Sequence, residues 1–277
     1  MANMFEEKKR KQEAINAAMS KIKHVIAVAS GTGGVGKSTV AANVALSLAK
    51  KGYRVGLADA DIYGPSVPTL FNIENEQIMV TEVEGKQLMV PFEKYGIKMM
   101  SVGFFVDKDK PMLWRGPMAA NTLTQMLTET HWGELDFMVL DMPPGTGDIQ
   151  LTLVQQFSVS GSIFVCTPQQ LAVADVRRAV NMFKNDQVAV PIIGLVENMA
   201  YFTPRELPDN KYYIFGKGGG EALAKELDLE LIAQIPISMD ISETNDTGNP
   251  IALDFSSPEA ECFMELADKI TSKTIKK

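Results

Sequence analysis

The sequence predicts an α/β fold, a mostly parallel central sheet with helices on both faces. Three observations carry this expectation. Apolar runs of four to six residues at 24–29, 53–58, 137–140, 162–166 and 192–196 have the length of strands and are too short for buried helices. Stretches with helical spacing lie between them, so strand and helix alternate along the chain. Several runs close on Gly or Asp, at the carboxyl edge where open parallel sheets receive ligands.

Residues 1–22 read as a charged leader, helical over about 5–21, and residues 23–277 as one domain. The run at 24–29 suits a strand buried on both faces. A glycine-rich turn follows, then a helix over 37–50 with Val40, Val44, Leu46 and Leu48 among its apolar positions. The strand at 53–58 ends in Asp59-Ala60-Asp61. Over 79–90 the pattern MVTEVEGKQLMV is that of a hairpin turning at Glu84-Gly85-Lys86, and 97–102 is the next strand. Gly116-Pro117 opens a helix to about 129, because proline suits a first helical turn. The alternation then resumes with strands at 137–140, 162–166, 192–196 and 231–235 and helices near 148–157, 172–184, 218–226 and 258–272. In the last helix Phe263, Leu266, Ala267 and Ile270 share a face that is expected to dock on the sheet.

Composition excludes several classes. A net charge of −7 argues against nucleic acid as a partner, since such binding depends on clustered cations releasing counterions. Two distant cysteines, Cys166 and Cys262, suit a reducing cytoplasm rather than a disulfide scaffold. There is no run near the ~18 apolar residues of a membrane span and no apolar secretory region, so stable membrane insertion is not expected.

The segment GTGGVGKS at 31–38 matches G-x-x-x-x-G-K-[ST] in the required context, a buried strand before it and a helix after it. Gly33, Gly34, Val35 and Gly36 would turn their backbone amides toward an anion at a helix N-terminus. Lys37 would reach the β- and γ-phosphates of ATP, and the Ser38 hydroxyl would ligate Mg²⁺. Asp141 closes the run FMVL as a Walker B aspartate does, holding magnesium directly or through water, and Asp59 stands in a similar place after the second strand. The loop Pro143-Pro144-Gly145-Thr146-Gly147 is placed to sense the γ-phosphate, with Asp148 after it at a helix start.

With these residues in place, the chain resembles the deviant-Walker-A P-loop ATPases, the group that includes MinD, ParA and the nitrogenase iron protein. Within that group it resembles the Mrp/ApbC family of iron–sulfur cluster carriers over about residues 23–255. The likeness rests on ASGTGGVGKSTVAANVA, DADIYGPSVP, WRGPM, LDMPPGTGD, TPQQLAVADVRRAVNMF, ENMAYF, YIFGKGGGE and QIPI. It implies an ATP-hydrolysing homodimer that serves iron–sulfur apo-proteins or assembly factors. By the same resemblance Asp61 orients the attacking water, Thr39 helps hold the α-phosphate, Asn198 contacts adenine, and the segment from Pro236 to Met239 borders the base.

Two departures stand out. Thr32 occupies the position of the family's signature lysine, so ATP is expected to bind while hydrolysis is slow. The CxxC that such carriers bear after ENM-x-YF is replaced by Thr203-Pro204-Arg205-Glu206, which removes the usual thiolates for a cluster. Trp114 and Arg115 are candidate contact residues. The rival readings are a MinD/ParA-like switch acting on membrane or DNA, and a P-loop kinase for a small molecule.

Overall fold

The computed structural model describes residues 2–105 and 116–275. Trp114 and Arg115 lie outside the described residues. In chain order the first elements are α1 (Ala2–Met19), β1 (Ile22–Ser30), α2 (Lys37–Lys50), β2 (Val55–Asp59) and α3 (Val67–Leu70). The antiparallel hairpin β3 (Val80–Val83) and β4 (Lys86–Met89) precedes β5 (Phe92–Lys94), β6 (Ile97–Ser101) and α4 (Gly116–Thr128). Then come β7 (Leu135–Asp141), α5 (Asp148–Gln156), β8 (Gly161–Cys166), α6 (Gln170–Lys184) and β9 (Ile192–Glu197). The chain closes with α7 (Gly219–Glu226), β10 (Leu231–Gln234), α8 (Met239–Asp246) and α9 (Pro258–Thr274).

The described residues form one eight-stranded sheet in the order β10-β9-β8-β1-β7-β2-β6-β5, parallel throughout except where β5 runs against β6. Because the central strands carry apolar residues on both sides, the sheet buries two apolar layers. One includes Leu123 of α4, Leu153 of α5 and Val176 of α6; the other includes Val44 of α2 and Phe263 and Leu266 of α9. The last helix therefore docks as its spacing predicts. Register sets up the site: Asp141 stands opposite Val28 of β1 on one side and Asp59 of β2 on the other. Two carboxylates and the start of the glycine-rich turn thus meet at one sheet edge.

Three elements escape the sequence pattern. Neither α3, with four residues, nor β5, with three, is long enough to show a period. The third, α8, has no buried residue and hence no apolar stripe to read. The charged leader also needs correction. Ile15 is 1% exposed and joins the layer containing Ala119 and Leu123, and the half-buried Met19 packs against the same layer, so α1 is tied to the domain by apolar contacts. The expected boundary after residue 22 falls inside β1.

At the opposite sheet edge Asp136 gathers three strands. Its carboxylate accepts from the Arg54 backbone amide at 2.9 Å and from the Arg54 guanidinium at 3.2 Å through both oxygens, and it pairs with Lys23 at 2.8 Å. Hydrogen bonds from Arg54, then from Lys23, hold this carboxyl well below the usual carboxylate range. A depressed folded value means the stabilisation is present above the unfolded pKa and fades as pH falls. Asp136→Asn is therefore expected to lower the unfolding free energy near neutral pH by about 1 kcal/mol after solvent screening. In acid the two chains should converge, which unfolding curves across pH would check.

Candidate functional site

β1 runs buried to Ser30 and then turns, because glycines allow what other residues cannot. Gly36 precedes α2 at φ 79°, a left-handed conformation that favours glycine, and leaves its carbonyl to accept the Val40 amide at 3.0 Å. Gly31 is required for a different reason. A Cβ there would stand 2.2 Å from the Asp175 carbonyl carbon, so the turn lies directly on the backbone of α6. Asn198, at the end of β9, braces the same turn by donating from Nδ2 to the Val35 carbonyl at 2.8 Å.

This turn opens on a cavity of about 380 Å³ lined by Thr32, Gly33, Gly34, Gly36, Lys37, Ser38 and Thr39, with Asp61, Tyr63 and Pro144 among the residues facing them. Lys37 is 5% exposed. Its ammonium donates to Asp141 Oδ1 at 2.5 Å, lies 3.3 Å from Asp61 Oδ2, and reaches Ser38 Oγ at 3.3 Å. Burial alone would lower this ammonium, but Asp141 and Asp61, with Asp59 behind them, hold it above its ordinary value. Asp141 moves up because burial outweighs the pull of Lys37. Its Oδ2 is buried without a hydrogen-bond partner among the described residues. Such an atom, beside a serine hydroxyl and near a second carboxylate, offers the hard oxygen set that magnesium takes.

The structure rearranges several expected roles. Asp59 is fully buried, accepting from the Asp61 amide at 3.1 Å on Oδ1 and from the Val67 amide at 3.0 Å and Ser101 hydroxyl at 2.9 Å on Oδ2. Burial, then the charge of Asp141, raises it to about 7. Its carboxylate is spent on the loop that carries Asp61, so it is a weaker metal ligand than its place in the strand suggests. Asp61 itself accepts from the Tyr63 and Gly64 amides at 3.1 and 3.3 Å on Oδ1, leaving Oδ2 toward Lys37. Val35 is 3% exposed and contributes a core contact and its carbonyl rather than a cavity wall. Asn198 uses its Nδ2 on that carbonyl. Asp148 begins α5 as its first residue, after Gly147 in the cap position.

Pro236 lines a different cavity, of about 440 Å³, with Tyr201, Pro204, Arg205, Met239 and Cys262. That cavity contains the stretch from Thr203 to Glu206, and Arg205 pairs with Asp240 there at 2.5 Å. Burial pushes the Cys166 thiol up to about 12, with Glu197 adding to the effect. Cys262 is also raised, by burial and then by Glu265, Glu259 and Glu261. Among the described residues no cluster of three His, Cys, Asp or Glu could hold a metal ion.

Sequence reasoning missed two contributors. Asn245 on α8 donates to the Thr39 hydroxyl at 3.2 Å, and Gln150 on α5 grips the loop before it. Neither stands in a motif with a spacing rule. No described helix is long and apolar enough to cross a membrane.

A family model described as NUBPL iron-transfer P-loop NTPase matches residues 21–271. The iron–sulfur cluster carrier protein of Aquifex aeolicus is 48% identical over 257 residues, covering 92% of this chain and 68% of the relative. A nucleotide-binding protein of Archaeoglobus fulgidus, solved in complex with ADP, aligns with TM-score 0.76 and 37% identity over 90% of this chain and 94% of that one. The cell division ATPase MinD of Pyrococcus furiosus aligns at TM-score 0.60 and 19% identity over 90% and 99%, a likeness of fold alone.

Proposed function

The chain belongs to the NUBPL iron-transfer P-loop NTPase family, and from that premise we propose that it is an ATPase whose nucleotide cycle serves iron–sulfur cluster assembly. The observation that carries this reading is Lys37, buried at the mouth of a backbone anion cradle and held by two carboxylates. An ammonium so placed can transfer from Asp141 and Asp61 to the β- and γ-phosphates of ATP. The amides of residues 33–36 and the α2 N-terminus wrap the phosphate oxygens, and Asn198 and Gly31 hold that wrapping rigid. Thr39 lies beside the α-phosphate, its hydroxyl oriented by Asn245. Ser38 and Asp141 would hold magnesium, Asp141 directly or through a water, with Asp59 behind them. Magnesium, when bound, supplies fixed positive charge against the phosphate oxygens. Asp61 orients the attacking water with the oxygen that Lys37 vacates.

A second copy facing the open cavity would complete the site, and Tyr63, 71% exposed on its wall, supports such a homodimer. The rival reading as a MinD/ParA-like spatial switch has only the shared fold behind it, and a charge of −7 disfavours a DNA surface. Two free cysteines fit a cytoplasmic setting.

The cargo raises a chemical question. Iron–sulfur clusters require thiolates, and both thiols here are shifted away from ionisation, one fully buried and one on α9. The chain therefore acts on clusters held by partner proteins, as an accessory factor, and does not ligate one through a four-cysteine set of its own. One anaerobic preparation tests both parts. Titration with magnesium–ATP and magnesium–ADP should show saturable binding, and absence of binding overturns the ATPase reading. Reconstitution with iron and sulfide should give the same background colour and metal content in wild type, Cys166→Ala and Cys262→Ala. A stoichiometric cluster lost in either variant overturns the accessory role.

A further inference from the structure

Gln150 lies on α5 and is 1% exposed, beside the apolar Ile149, Leu153 and Val154. Its Nε2 donates to the Pro143 carbonyl, while its Oε1 is buried with no hydrogen-bond partner among the described residues. A methionine would fill the same space without a polar atom to desolvate, so a half-satisfied amide is a cost that packing does not explain.

The Pro143 carbonyl gives the reason. Loop 143–147 begins two residues after Asp141, and its Pro144 lines the phosphate cavity. Pro143 and Pro144 have no amide hydrogen, so few polar handles can hold the loop. Three are engaged: the Gly145 amide donates to the Ser30 carbonyl at 3.0 Å, the Pro143 carbonyl accepts from Gln150, and the Gly147 carbonyl accepts the Leu151 amide at 3.4 Å in the first turn of α5. The first ties the loop to the strand that opens the phosphate turn, the third is the ordinary helix-start bond at its far end, and the Gln150 contact holds its proline end to α5. With the Gln150 contact released, the proline end of the loop is held only beyond Pro144, at Gly145 and Gly147, and Pro144 can shift against the cavity.

We propose that Gln150 is a positioning residue for phosphoryl transfer, its amide setting the loop 143–147 at the place of the terminal phosphate. This rests on the ATPase reading above. The α- and β-phosphates, gripped by the glycine-rich turn, should not sense it.

Gln150→Met, which keeps length and volume, tests the proposal. Expected are ADP affinity within about twofold of wild type, an unfolding midpoint unchanged or higher, KM nearly constant, and kcat about tenfold lower. An unchanged kcat overturns the assignment. So does a joint fall in kcat, ADP affinity and unfolding midpoint, which marks a structural role only. Gln150→Leu also lacks any donor, so it should show the same loss of kcat. Failure of both variants to fold also overturns the assignment. A wild-type chain that binds no nucleotide would instead sink the ATPase reading, so the two failures are distinguishable.

Discussion

Lys37→Ala is expected to abolish measurable ATP turnover, lowering kcat by about 10³-fold, and to weaken ATP binding sharply. No other described cation pairs with the carboxylates at the cavity floor, and the lysine is the charge that reaches the outer phosphates. The same change should destabilise the nucleotide-free chain, because Lys37 is the counter-ion of the buried Asp141 and of Asp61. Removing one member of a buried ion pair typically costs about 3–5 kcal/mol, since the remaining charge is left without compensation. Turnover, nucleotide titration and equilibrium unfolding of the variant check the two effects separately. Unaltered binding and turnover would end the phosphate-site assignment. Unaltered stability would show that water reaches Asp141 more readily than its enclosure suggests.

Thr32→Lys should act in the opposite direction, raising kcat by about 10- to 100-fold. Thr32 lines the phosphate cavity, and its backbone is held where its carbonyl accepts the Ser30 hydroxyl at 2.9 Å, so a longer side chain can project from a fixed base. A threonine hydroxyl gives one neutral hydrogen bond, whereas an ammonium opposes charge that builds during phosphoryl transfer. If the charge acts across a dimer, the gain should grow with protein concentration. Steady-state rates over a concentration series provide the measurement. A rate equal to wild type at every concentration would mean that the missing ammonium is not what limits turnover.

Much of the fold is written in local pattern. The strands from β1 to β9 that line the centre of the sheet are short, apolar and bounded by glycine or charge, and the amphipathic helices between them carry visible stripes. What stays hidden has no pattern to carry it. α8 sends only the half-buried Ile241 toward the core and so shows no apolar stripe, α3 is a single turn, and the burial of Ile15 depends on where α4 lies, which no local rule states. The site divides the same way. The phosphate turn, Lys37, Ser38 and Asp141 are legible because their chemistry fixes their spacing. Asp59 reads as a ligand because it ends a strand, and Asn198 because of the family resemblance. Their bonds to the Val67 amide and the Val35 carbonyl, eight and 163 residues away in sequence, are contacts that no local pattern announces. Gln150 and Asn245 were invisible for the same reason. Each touches the machinery through one hydrogen bond that only the folded chain creates.

The contact between Gly31 and α6 bears on how such a chain can drift over generations. Gly33 has open space where a Cβ would go, and Gly31 has none. Descendants selected for folding alone would therefore keep glycine at 31 and scatter at 33, although both stand in one short stretch. An invariant glycine at 31 would record the thickness of a helix backbone, and only the variability at 33 would respond to whether the lineage still uses nucleotide.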